Sequence, residues 1–140
     1  MKRIVFVGVF AVAVLAAAVA TRAHHSFSAE FDANKPVKLT GIVTKVEWTN
    51  PHVWFYINVK DEKTGEVSNW GAEMGPPHGL QRRGWRRDTL KIGEEVTVEG
   101  SLAKNGSKRM NARSVTMTST GGRPGETLDA VSSGGNNSDQ

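Results

Sequence analysis

Five short segments in which β-branched and aromatic residues alternate with polar ones constrain the fold of this 140-residue chain most strongly. Alternation with a period of two is typical of strands that bury one face, and turn-forming residues separate the segments. In the clearest segment, Val53, Phe55 and Ile57 share one face while Trp54 and Tyr56 share the other. The predicted strands are 39–48, 53–59, 67–74, 95–102 and 109–117. The pattern therefore predicts a mainly β protein.

A break and one short helix-like stretch separate the third and fourth segments. Gly-Pro-Pro at 75–77 ends the strand, and residues 78–88 place apolar and basic residues three to four apart, although Gly84 weakens the helix. Three strands, a short helix and two strands is the order of the OB-fold, a five-stranded Greek-key barrel. We predict an OB-like barrel over 37–118, with a bulge or strong coiling at Gly41, and an open five-stranded meander as the alternative.

The first 23 residues have the layout of a secretory signal peptide. A basic start precedes an apolar run from Ile4 to Ala20, and small residues allow cleavage after Ala20 or after Ala23. A membrane anchor is the competing interpretation, because the run just reaches the ~17 residues that span a bilayer. We expect cleavage and export, with the periplasm as the natural destination.

The two segments that flank the predicted barrel are polar. Residues 24–36 carry Phe27 and Phe31 as their only large apolar groups, which predicts an extended segment docked on the barrel by the two rings. Residues 119–140 are rich in Gly, Ser and Asn, so they offer too little apolar surface to offset the entropy of ordering. We therefore predict a disordered tail.

The formal net charge of +4 arises largely in the predicted signal peptide. Removing Lys2, Arg3 and Arg22 leaves 15 of the 18 basic residues against 14 acidic ones, a net charge of +1. Because polyanion binding relies on many contacts between basic side chains and phosphates, this balance argues against a nucleic-acid partner. The lack of Cys excludes disulfides, thiolate metal sites and a Cys nucleophile.

Several separated motifs agree in order with one family of exported bacterial proteins. They are His24-His-Ser-Phe27, Leu39-Thr-Gly-Ile-Val43, Glu47-Trp-Thr-Asn-Pro-His52, Arg83-Gly-Trp85 and Gly93-Glu-Glu-Val-Thr-Val-Glu-Gly100. The chain resembles domain-of-unknown-function family 6152 from about Ala23 to Met117. The resemblance implies a signal peptide and a small β-barrel-like domain, and it supplies no activity, cofactor or catalytic residue.

The candidate metal ligands are the four histidines, His24, His25, His52 and His78. Cleavage after Ala23 would give His24 a free α-amine beside its ring Nδ1, and these two nitrogens would chelate one metal ion. His52 is the preferred third ligand, with His25 or His78 as substitutes, and a nitrogen-rich set favours Cu(II). Zinc is the alternative metal. A structural zinc site normally has four protein ligands, so it would need a carboxylate from Glu30, Asp32 or Glu73 in addition to histidine. The competing interpretation leaves the amino-terminal pair solvated and makes His52 a turn cap.

Aromatic residues form the second candidate site. Trp54 and Tyr56, with Trp48 and Trp70, would make a stacking face for a ligand or a partner if they are exposed. In the competing interpretation Phe27 and Phe31 cover Trp54, because large exposed apolar patches are uncommon on monomers.

A cluster of arginines around Trp85 forms the third candidate site. On a helix, Arg82 with Arg86 and Arg83 with Arg87 would make like-charge pairs four residues apart, which suggests an anionic contact. The competing interpretation is a solvated basic face with salt bridges to nearby carboxylates, which are Asp88, Glu94, Glu95 and Glu73.

No familiar catalytic motif accompanies these sites, so an enzyme is the less favoured interpretation. The leading hypothesis is an exported, non-enzymatic binding module for a small ligand or a metal ion. Its most specific form is a module that binds copper. The first alternative is an envelope protein–protein adaptor that uses the aromatic face or a sheet edge. The second is a copper-dependent oxidative enzyme with open coordination positions.

Overall fold

A computed structural model describes residues 27–118 and 125–130. The elements in chain order are α1 (Phe27–Glu30), β1 (Phe31–Glu47), β2 (Trp54–Lys60), β3 (Val67–Glu73), α2 (Pro77–Arg82), β4 (Glu95–Ala103), β5 (Arg109–Met117) and β6 (Thr127–Asp129). The predicted signal peptide and the amino-terminal histidines His24 and His25 lie outside the described residues. None of the helices in the described part of the chain is long and apolar enough to cross a membrane.

The first five strands close into a barrel. β1 pairs with β4 along residues 31–42 and with β2 along residues 42–47, so that one long strand serves both halves. The sheet order is β3-β2-β1-β4-β5-β6, and a parallel pairing of residues 71–73 with residues 109–111 joins β3 to β5. This topology confirms the mainly β, OB-like barrel with a short helix between its third and fourth strands. The closure excludes the open meander.

The barrel begins earlier than the predicted boundary at residue 37. Of the segment expected to run extended over residues 24–36, the described residues 27–36 form α1 and the first part of β1. Phe31 pairs with Ala103 and is 3% exposed, whereas the residues between Phe31 and Pro36 leave the ladder at a register shift. One buried ring therefore extends the strand through a polar stretch that carries no alternating pattern of its own.

The predicted irregularity in β1 lies three residues beyond Gly41. The register with β2 shifts between Val43 and Lys45, which makes Thr44 the extra residue. Gly41 has a different role, because a Cβ there would lie 2.5 Å from the carbonyl oxygen of Asn58. The glycine therefore permits close approach of two strands, and the bulge follows it.

The predicted disordered tail contains a sixth strand. β6 pairs antiparallel with residues 114–116 of β5, and Ala130 is fully buried. The indole Nε1 of Trp85 donates to the carbonyl oxygen of Asp129 at 2.8 Å. Backbone pairing and one buried indole thus order residues 125–130, although few apolar side chains mark them in the sequence.

The helix predicted over 78–88 ends at Arg82 because Gly84 adopts a φ of +93°. Gly84 N–H donates to the Gln81 carbonyl and Trp85 N–H to the Leu80 carbonyl, which is the Schellman arrangement. Leu80 and Trp85 are both 1% exposed and belong to the core that fills the barrel. The cap therefore turns Trp85 inward and leaves the arginines around it on the surface.

Candidate functional site

One outer face of the barrel gathers polar and aromatic side chains from β2, β3 and β5. Trp54 lies opposite Glu73, and Tyr56 lies opposite Gly71, which is itself paired with Arg109. Directly opposed residues project to the same side of a sheet. A Cβ on Gly71 would lie 3.2 Å from Tyr56 Cε1 and 3.6 Å from Trp54 Cζ3, so the two rings pack across the space that glycine leaves.

The central pair on this face joins a histidine to a buried carboxylate. His52 Nδ1 lies 2.5 Å from Glu73 Oε1, and the side chains are 30% and 7% exposed respectively. Val53, the residue after His52, is tied to β3 by backbone hydrogen bonds with Met74 and Gly75. An imidazole that donates from Nδ1 to a carboxylate keeps its lone pair on Nε2, which can then bind a metal ion or accept a proton.

Burial raises the pKa of the Glu73 carboxyl, and the negative charge of Glu30 acts in the same direction. The nearby His52 and Arg109 oppose this change because positive charge and hydrogen bonding favour the carboxylate. Glu30 ends α1 and lines a cavity together with Trp54, the residue that pairs with Glu73.

The predicted metal ligands are only partly covered by the structure. His24 and His25 lie outside the described residues, and His78 is exposed on α2. Across 27–118 and 125–130, no three His or acidic side chains converge in a way that could hold a metal ion. The described carboxylates, Glu30, Asp32 and Glu73, therefore do not complete a zinc site with the described histidines. His52 is the candidate that the fold equips with an orienting partner.

The predicted aromatic face divides into two environments. Trp54 and Tyr56 are half-buried on the outer face, whereas Trp48 and Trp70 pack against the core. Trp70 pairs with the fully buried Ile57, and this register turns it inward. The strand register therefore places Trp54 and Tyr56 on one face of the sheet and Trp70 on the other.

Cationic side chains cover the two outer rings. The guanidinium carbon of Arg109 lies 5.2 Å from the centroid of Trp54, and Lys45 Nζ lies 5.4 Å from that of Tyr56. The Tyr56 hydroxyl donates to Glu47 Oε2 at 3.1 Å. Burial, followed by the bond to Glu47, raises the pKa of the Tyr56 hydroxyl. The outer face is thus a charged and aromatic surface.

The rings predicted to cover Trp54 are Phe27 and Phe31. They stack on each other with their centroids 5.9 Å apart. Phe31 also lines a cavity together with Trp54, so the amino-terminal segment reaches this side of the ring.

The arginine cluster is exposed, but it lies only partly on a helix. Because α2 ends at Arg82, the four-residue spacing to Arg86 no longer brings those side chains together, and the same holds for Arg83 and Arg87. Arg83 pairs with Asp129 at 3.1 Å. This partner belongs to β6, so it was not among the carboxylates expected from the sequence.

Two residues that line a cavity together with Trp54 are not among the candidates predicted from the sequence. Arg109 begins β5, and Ser107 lies in the turn that precedes it. Their only sequence signal is the Asn105-Gly106 turn, which predicts a hairpin and does not indicate a ligand. Only the parallel β3–β5 pairing brings Arg109 over Trp54.

The comparisons with solved structures gave distant similarities. The mitochondrial single-stranded DNA-binding protein Rim1 of S. cerevisiae aligns with a TM-score of 0.49 and 10% identity, over 62% of this chain and 96% of Rim1. The ZRD-deleted mutant of TiaS in complex with agmatine aligns with a TM-score of 0.46 and 20% identity, over 71% of this chain and 27% of TiaS. No curated protein matches the sequence.

The comparison with family models gives a match over most of the chain. It extends over residues 11–112 and belongs to a family of unknown function, DUF6152. This range includes the His52–Glu73 pair and all of the first four barrel strands. The chain therefore belongs to the DUF6152 family.

Proposed function

We propose that this protein is an exported, non-enzymatic binding module that holds a Cu(II) ion between His52 and its amino-terminal histidines. The observation that carries the proposal is the 2.5 Å contact of His52 Nδ1 with the buried Glu73 carboxylate. Metal-binding histidines usually donate their second ring nitrogen to a carboxylate or a carbonyl, which fixes the tautomer and the ring orientation. His52 has this arrangement before any metal is bound.

The position of α1 supports the proposal that the amino-terminal histidines contribute ligands to the copper site. α1 begins at Phe27, three residues after His24. Its last residue, Glu30, is close enough to Glu73 to influence the pKa of that carboxyl. Cleavage after Ala23 would release the α-amine of His24 six residues before Glu30. The α-amine, its neighbouring imidazole and His52 Nε2 form a nitrogen-rich set that suits Cu(II).

The cellular setting is part of the proposal. Export with signal cleavage would create the free α-amine that the chelate needs, and an uncleaved chain would lack it. His25 and His78 are the substitute ligands, and His78 is the weaker of the two because it is exposed on α2. The proposed role is binding, since the spacing of the residues brings no nucleophile, base and orienting group together.

A competition titration of Cu(II) tests the proposal on protein exported and processed by a bacterial host. Intact mass first establishes that the chain begins at His24. We expect one tight equivalent, which is lost in His52→Ala and in a variant with one extra residue before His24. His78→Ala is the matched control, because it removes an exposed imidazole and should keep the affinity. Equal affinity of the wild type and His52→Ala would refute the proposed site.

A further inference from the structure

A second feature of the outer face is a cavity that Trp54 lines together with the amino-terminal segment. It measures about 290 Å³ and lies between α1, the start of β1, β2 and the turn that joins β4 to β5. Its apolar walls are Phe31, Trp54, Ala29 and Ala103. This volume lies at the lower end of the range for small-molecule sites, so the cavity fits a small ligand.

One polar atom of this cavity lacks a partner. Ser107 Oγ is buried and accepts or donates no hydrogen bond within the described residues. Buried hydroxyl groups normally have partners, and an exception calls for an explanation. The turn that carries Ser107 is fixed, because its N–H donates to Asn105 Oδ1 at 3.0 Å and Arg109 N–H donates to the Ser107 carbonyl at 2.8 Å. The backbone of Ser107, a residue that lines the cavity, is thus fixed.

Basic groups predominate among the charged residues that line the cavity. They are Lys104, Arg109 and Glu30, which sum to one positive charge. Lys104 Nζ donates to the Ser28 carbonyl at 2.5 Å, which anchors α1 to the turn. The guanidinium of Arg109 rests on the Trp54 ring. Its planar fork of N–H groups is suited to a carboxylate.

We propose that this cavity binds a small organic monocarboxylate. The apolar part of the ligand packs between Phe31 and Trp54, and its carboxylate accepts hydrogen bonds from Arg109 and from Ser107 Oγ. One negative charge matches the single positive charge of the lining, whereas a dianion would leave a charge uncompensated beside Glu30. The site uses neither His52 nor the amino-terminal histidines as ligand contacts.

The test is a titration of the ¹⁵N-labelled mature protein, treated with a chelator, with sodium benzoate and sodium acetate, followed by NMR. We expect saturable shifts of the Trp54 indole and the Ser107 amide with at least one of the two acids. The corresponding neutral amide, benzamide or acetamide, should bind about tenfold more weakly or worse, because it lacks the charge that Arg109 recognises. No saturable shift with either acid, or equal binding of acid and amide, would overturn the proposal.

Two variants and one control separate recognition from folding. Arg109→Gln should weaken binding of the acid about tenfold or more, whereas Arg113→Gln, an exposed arginine of the same strand that does not line the cavity, should leave it unchanged. Ser107→Ala should weaken binding while the melting temperature stays the same or rises, because the variant removes a hydroxyl that has no partner. Equal losses in Arg109→Gln and Arg113→Gln would show a general charge effect and contradict the site.

Discussion

Trp85→Phe tests how the carboxyl-terminal strand is attached to the barrel. Trp85 is 1% exposed, and its indole N–H donates to the Asp129 carbonyl of β6 at 2.8 Å. Phenylalanine keeps a ring in the core but removes this donor and leaves a small void. The lost hydrogen bond is worth about 1 kcal/mol, and the missing ring atoms add about 1–2 kcal/mol. The sum of about 2–3 kcal/mol corresponds to a melting temperature lowered by roughly 10–20 °C in a domain of this size.

The matched comparison is Arg83→Gln, which removes a second side-chain contact to Asp129. That ion pair spans 3.1 Å, but its side chains are 40% and 54% exposed, so its loss should cost at most about 1 kcal/mol. Thermal unfolding followed by circular dichroism gives both values. Amide exchange at Ala130, which donates to the Arg113 carbonyl at 2.8 Å, reports β6 directly. A larger loss in Arg83→Gln than in Trp85→Phe would refute the reasoning.

Three further predictions concern the barrel and the copper site. Gly100→Ala should destabilise the protein by about 3 kcal/mol in urea unfolding, because its Cβ would lie 1.9 Å from the Asn111 carbonyl oxygen. Gly79→Ala, whose Cβ would make ordinary contacts at 3.5 Å, should be neutral or stabilising by about 0.5 kcal/mol, and a reversed order would contradict the packing. Asp61→Ala should lower stability at neutral pH, because the Thr64 N–H bond lowers the pKa of the native Asp61 carboxyl. The difference should disappear as the pH falls below about 4 and through the native pKa, whereas a constant difference would exclude this cause. Glu73→Gln should weaken Cu(II) binding by about tenfold to a hundredfold in a competition titration, and an unchanged affinity would remove Glu73 from the site.

The barrel was predictable because its strands carry strong local signals. Alternation in residues 53–59 and 95–102 and the turn at Asn105-Gly106 depend on neighbouring residues alone. The inward positions Met110 and Ala112, followed by Val115 and Met117 after a register shift, agree with the predicted β5. The order of the elements, three strands, a helix and two strands, then favours the closed OB-like barrel.

The sixth strand and the early start of β1 were not predictable from local pattern. β6 is held by pairing with residues 114–116 and by the indole of Trp85, which is 44 residues away along the chain. Phe31 is likewise fixed by its pairing with Ala103. Contacts between residues so far apart leave no periodic trace in either segment, and composition alone therefore suggested disorder and an extended segment.

The candidate site was predictable in part. His52 was recognised from its residue type and its turn, but its pairing with Glu73 depends on the alignment of the loop before β2 with the end of β3. The register that turns Trp70 toward Ile57 cannot be read from either strand separately. The roles of His24 and His25, the adaptor hypothesis and the oxidative-enzyme hypothesis stay predictions.

The most direct test of the central claim is pulsed EPR of the Cu(II)-loaded, processed protein, compared with His52→Ala loaded in the same way. The remote nitrogen of each coordinated imidazole modulates the echo, so the measurement counts histidine ligands. We predict modulation from at least two imidazoles in the wild type and the loss of one in the variant, because His52 Nε2 would be a ligand while Nδ1 donates to Glu73. An identical spectrum in the two proteins would contradict a copper site at His52.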